Sequence, residues 1–282
     1  MILDGATVAL QWATGGLAFL WLTTRRREVS LGYGWSSRVV FGLIALIGLG
    51  LGLRFGEGVL VRELASAGVV IATGVALVVS VQRRKAGVAG QRALAEKRSA
   101  RVAAMTGIER EESAKDDSVA EFPPVLDAIA PIIGLVGIVA AGLSGNEAGG
   151  LLVLRLVVGA AFLGVITDAM LLGHWYLVQP GLSRAPLLEL VRWTGYLWPA
   201  ELIVMILPTG MISVLNGTID DGYQGILGWY WLASAVATLA LVFVTKAALR
   251  ERQYSAVMAA TGLTYLAILT GFSMDLVARA LL

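Results

Sequence analysis

Asp168 and Glu201 are acids set in stretches otherwise made almost wholly of apolar residues. A charged side chain at the centre of a membrane helix costs about 2.5–3.5 kcal/mol on insertion scales, so an acid kept there should point inward, toward a partner or a proton path. Six residues beyond Asp168 stands His174, the only histidine in the chain, followed directly by Trp175 and Tyr176. An imidazole can donate to a carbonyl near neutral pH, and flanking aromatic rings can hold a flat apolar ring. That is the chemistry of a quinone or lipid-headgroup site. Two carboxyls at one depth can instead share a proton. Asp168, His174, Trp175, Tyr176 and Glu201 are therefore the candidate ligand- or proton-binding residues. Each also has a plainer reading. Asp168 can bond a hydroxyl or a tryptophan N–H of a neighbouring helix, and Glu201 can pair with Arg192 or with backbone freed near Pro199. His174 can belong to an interfacial aromatic belt.

The surroundings of these residues are those of a membrane protein. Of 282 residues 57% are hydrophobic and 15% charged, and the mean hydropathy is +0.77. A soluble chain of this length carries more charge. The apolar runs are continuous rather than alternating, which predicts helices and not barrel strands. With no cysteine, disulfides, thiolate metal sites and iron–sulfur clusters are excluded. No HExxH, GxSxG or P-loop pattern occurs, so catalysis, metal and nucleic-acid binding are not expected.

The expected fold is all-α: a polytopic helical membrane protein of eight spans, at 7–23, 38–53, 64–81, 125–143, 151–178, 187–215, 226–245 and 256–274. The first span lacks a basic start, and its Arg25-Arg26-Arg27 cluster follows the apolar stretch, so it reads as retained and not as a cleaved leader. Three spans fill 1–82 and five fill 123–282. Between them, residues 83–122 form a charged connector read as helical, with nine basic and seven acidic residues. Eighteen of the 22 basic residues fall on one side of this topology. The positive-inside rule then puts both termini outside and the long segment in the cytoplasm, in a bacterial inner membrane. Gly48, Gly52 and Gly56 recur every fourth residue, which brings small residues to one helix face for close packing.

Position along the helices sets what the acids can do. Counted from helix ends near Gln179 and Leu190, Asp168 and Glu201 both lie roughly 16 Å from the cytoplasmic surface. The short connector at 180–186 makes their helices antiparallel neighbours, so the two acids are expected side by side, with at least one protonated at neutral pH. Pro199 and Pro208 flank Glu201 and predict a break or kink in its helix. Ala161, Gly164, Asp168 and Trp175 share a face of the preceding helix, and His174 points roughly 120° away from Asp168.

The run Leu-Leu-Gly-His-Trp-Tyr-Leu-Val-Gln-Pro-Gly-Leu, with Arg-Glu-Arg-Gln-Tyr before the last span, resembles a group of uncharacterised multi-pass membrane proteins of high-GC, actinobacterial-type bacteria. The likeness covers 162–282 and implies no activity. Two functions remain. One is a non-catalytic subunit or small-molecule-binding protein of a larger membrane complex or homo-oligomer, holding quinone or lipid at the His174 segment. The other is a proton-coupled secondary transporter using Asp168 and Glu201.

Overall fold

The computed structural model describes residues 4–55, 58–88, 93, 96–97, 100, 104, 120–144, 149–179, 182–251 and 253–282. Most of the connector expected to be helical over 83–122 lies outside these, as do Gly56 and Pro180. Within them the chain is helical: α1 Gly5–Thr24, α2 Leu31–Phe55, α3 Leu60–Gln82, α4 Leu126–Gly142, α5 Gly150–Val178, α6 Ala185–Ile206, α7 Gly210–Leu215, α8 Ile226–Ala248 and α9 Tyr254–Leu281, with a single 3-10 turn at Arg84–Ala86. Five of these, α2, α3, α5, α8 and α9, are long and apolar enough to cross a membrane. Their outward faces carry Ile47, Ile71, Phe243 and Leu269, all exposed. Water disfavours such surfaces and hydrocarbon does not, so this is a helical membrane protein.

The helices close into two rings. α1, α2, α3 and α4 each pack on the next, and α4 returns to α1; α5, α6, α8 and α9 do the same. The rings meet chiefly through their first helices, α1 and α5. At the crossing Gly15 lies against the backbone of Ala160 and Gly164, so a Cβ at either glycine would overlap main chain of the other helix. Small residues permit this approach where apolar side chains would only trade protein for lipid. Of the spaced glycines on α2, Gly48 lies against Ala6, Ala9 and Leu10 of α1, and Gly52 against the Glu63 side chain of α3.

Two expectations change. The span at 187–215 is not one helix: α6 stops at Ile206, and the short α7 comes after it. Pro208 cannot donate to the carbonyl four residues back, and its ring crowds that turn. Gly210 then turns the chain at φ +23°, where a Cβ would strike the Met205 carbonyl. Pro199, by contrast, lies inside a continuous α6. The last span, expected to end at 274, continues to Leu281 and so brings Asp275 and Arg279 into the bundle.

Candidate functional site

Among the described helical residues, the acids Asp168, Glu201 and Asp275 are fully buried, and Asp127 and Glu63 nearly so. The groups around each decide what it can do.

Asp168 sits on the α5 face turned toward the first ring. Gly164 of that face touches α1, and Trp175 covers Gly32 of α2. Between them the Tyr33 hydroxyl of α2 donates to Asp168 Oδ1 at 2.9 Å, while Oδ2 accepts no hydrogen bond. Next to it the Trp12 indole of α1 donates to Thr167 Oγ1 at 2.9 Å.

Glu201 faces other partners. The charges bearing on it are Asp275 and Arg279 of α9 and Arg155 of α5. Arg279 holds Asp275 through both oxygens, Nε to Oδ2 and Nη2 to Oδ1, each at 2.7 Å. These are residues i and i+4 of one helix, and a forked guanidinium matches a carboxylate in this way. All three side chains are buried, at 0–1% exposure. The α5 residue against this pair is Gly159, where an added Cβ would overlap Arg279 Nη2 and Gln11 Nε2 and meet Asp275 Oδ1 at 2.9 Å. Buried Gln11 of α1 therefore completes the cluster. Neither its amide nor either Glu201 oxygen forms a hydrogen bond with good geometry, and Arg279 Nη1 also lacks one.

The expected pairing of Asp168 with Glu201 is thus not the arrangement present. Gly159, at the level of the Glu201 cluster, is nine residues from Asp168, roughly 14 Å along α5. The count from helix ends misplaced Glu201 because α6 begins at Ala185, about a turn and a half before Leu190. Glu201 is accordingly about 24 Å from the N-terminal end of α6, whereas Asp168 is about 15 Å from the C-terminal end of α5. Asp275 replaces Asp168 as its acidic neighbour.

Arg155 links this cluster to the helix break. Its Nε donates to the Val204 carbonyl at 2.9 Å and its Nη2 to the Leu207 carbonyl at 2.6 Å. Val204 is the residue whose carbonyl Pro208 leaves without a helical donor. A guanidinium from α5 therefore caps the end of α6, one turn from Glu201. The Arg155 carbonyl in turn accepts from Arg279 Nη2 at 3.3 Å.

The aromatic segment does not form a cradle. Successive helix residues point about 100° apart. His174 is exposed, with Nδ1 3.0 Å from the Tyr265 hydroxyl. Trp175 donates to Gln179 Oε1 at 3.2 Å along its own helix, and Tyr176 is buried, donating to the Ser183 carbonyl at 2.6 Å. The last two contacts fasten the connector between α5 and α6.

Sequence reading missed Asp275, Arg279 and Gln11. The signal was present in the first two, an Asp and an Arg four residues apart among apolar neighbours. Both lie beyond the expected end of the last span at 274, in a turn that is polar because it faces protein. Also missed was the buried pair of Arg38 with Asp127, joined Nε to Oδ1 at 2.8 Å and Nη2 to Oδ2 at 2.7 Å. No group of metal-binding side chains occurs among the described residues. No family model, curated protein or solved structure matches the chain.

Proposed function

We propose that the protein is a proton-coupled membrane carrier in which Glu201, beside Asp275, takes up and releases the proton. The observation that supports this reading is Arg155. It lies close enough to Glu201 to act on it electrostatically, and it caps the broken end of α6. With both acids ionised, Glu201 and Asp275 balance Arg155 and Arg279. When Glu201 carries a proton, Arg155 is free to serve the Val204 and Leu207 carbonyls. When the proton leaves, a buried carboxylate requires a counter-charge, because an unpaired one is costly in a low dielectric. Arg155 is then drawn toward Glu201 and off the carbonyls, and the segment from Leu207 to Gly210 loses its cap. Proton release thereby loosens the break. Discontinuous helices of this kind carry the binding sites of many secondary transporters.

The topology belongs to the same proposal. With α1, α4 and α6 counted as spans beside the five long apolar helices, the chain crosses the membrane eight times, with both termini outside. In support, Arg25 and Arg26 meet Glu189, and Arg27 meets Glu121, which gathers these loops at the basic end of the bundle. The resemblance of 162–282 to multi-pass proteins of high-GC bacteria is part of this proposal, and with it a bacterial cytoplasmic membrane.

The test places a reporter at the break. Thr209→Cys in the reconstituted protein should react with a polar maleimide at a rate that rises with pH, and Glu201→Gln should remove that dependence beyond the thiol's own titration. A rate that tracks pH equally in both backgrounds would end the coupling proposal.

A further inference from the structure

A second polar site lies at the opposite, basic end of the bundle, far from Glu201 and independent of the carrier reading. A half-open cavity of about 30 Å³ is lined there by Thr24, Arg27, Ser30, Gly34, Arg38 and Phe122, among others. Ser30, just before α2, and Leu31 and Gly34 of its first turn line the space, which therefore lies at the positive end of a 25-residue helix. Arg38 is 2% exposed. Its Nε and Nη2 are used by Asp127, and its guanidinium carbon lies 4.5 Å from the centre of the Phe122 ring. The remaining nitrogen, Nη1, has no hydrogen-bond partner, and neither has the buried Ser30 hydroxyl. Nη1 lies over Gly34, where a Cβ would come within 2.9 Å. Arg27 stands at the mouth, half-exposed, with Nη1 3.3 Å from Glu121 Oε2.

Two guanidinium groups, a hydroxyl and a helix N-terminus facing one small space suit an anion with several acceptor oxygens. Asp127 and Glu121 balance the two guanidinium charges, so the pull on an anion comes from the unused donors, Arg38 Nη1 and the Ser30 hydroxyl, and from the α2 N-terminus. The volume accommodates one or two oxygens, with the rest of the ligand projecting outward. At the end of the helices those oxygens lie at headgroup level. We infer that the cavity bordered by Ser30, Gly34 and Arg38 binds a phosphate group, with Arg38 Nη1, the Ser30 hydroxyl and the α2 N-terminus donating to its oxygens.

The phosphate can come from a phospholipid or from solution, and the probes separate the two. The full chain, purified in detergent, would be titrated with dioctanoyl phosphatidylglycerol, with inorganic phosphate and with dioctanoylglycerol, which lacks phosphate. Lipid binding would be read by native mass spectrometry and phosphate binding by equilibrium dialysis. Binding of phosphatidylglycerol alone assigns a headgroup site, and binding of inorganic phosphate as well assigns a site for the free anion. In either case Ser30→Asp, which places a carboxylate in the cavity and leaves the Arg38–Asp127 pair intact, should weaken binding at least tenfold. Arg27→Gln, at an exposed position that does not threaten folding, should weaken it about threefold. The inference is overturned if neither phosphate compound binds, if dioctanoylglycerol binds as well as phosphatidylglycerol, or if both variants bind like the natural chain.

Discussion

Asp275 and Arg279 stand or fall together. Removing one partner of a buried pair leaves the other charge without compensation, at about 3–5 kcal/mol, whereas removing both costs far less. Asp275→Asn and Arg279→Gln should each lower the Tm sharply, and the double variant should recover a good part of the loss. Additive losses would show that the two residues do not act as a pair. Gly159 is the space the cluster occupies, so Gly159→Ala should cost about 1–3 kcal/mol through overpacking, measured as a Tm shift. At Asp168, Tyr33→Phe removes the donor to a buried oxygen and should cost about 1–3 kcal/mol. Residue type alone identified Asp168 and Glu201 as acids that must be buried. It did not reveal their partners, because a partner depends on which face of which helix lies opposite, and that information is spread over α1, α2 and α9. The aromatic run shows the converse. Its composition suggested one site, but a step of about 100° per residue sends His174, Trp175 and Tyr176 to three different surroundings.

At the scale of elements, punctuation was only partly legible. Pro208 announced a break, and the break is present. Pro199 has the same chemistry but sits in an unbroken α6, so proline alone does not decide between a kink and a stop. The two prolines differ in their downstream neighbours: two residues after Pro208, Gly210 permits a backbone turn that an alanine would resist. Gly210→Ala, strained at φ +23° and pressed on the Met205 carbonyl, is expected to destabilise α7 and raise hydrogen exchange across 207–215. The turn before α8 offers a pH test. Desolvation pushes the Asp221 carboxyl up, but the N–H groups of Gly225, Tyr223, Leu227 and Gly228 outweigh it and hold the group below its ordinary value of 3.8. A depressed carboxyl stabilises the folded chain above that ordinary value, and the contribution fades as pH falls through the lower folded one. The Tm gap between the natural chain and Asp221→Ala should therefore be full above pH 3.8 and shrink below it. A gap that widens on acidification would have the wrong sign.

For the whole molecule, hydropathy was the informative signal. The expected spans 7–23, 125–143, 151–178 and 226–245 begin and end within three residues of an observed helix, because an apolar run shows where it stops. Cysteines at Ala120 and Ser144 should react with a membrane-impermeant reagent from opposite faces; reaction from one face would refute the eight-span topology. The closing of four helices into each ring was not visible beforehand, because every span is apolar and apolarity does not name a neighbour. The junction of the rings also bears on mechanics. Where α1 and α5 cross, Gly15 and Gly164 meet main chain to main chain, with no side chains to interlock. Such a contact resists tilting much less than an interdigitated seam does, so it can serve as a fulcrum between the two rings. The Trp12–Thr167 hydrogen bond, one turn away on each helix, is placed to act as its catch. Thr167→Val should release the catch, leaving each ring whole while changing how freely one rocks against the other.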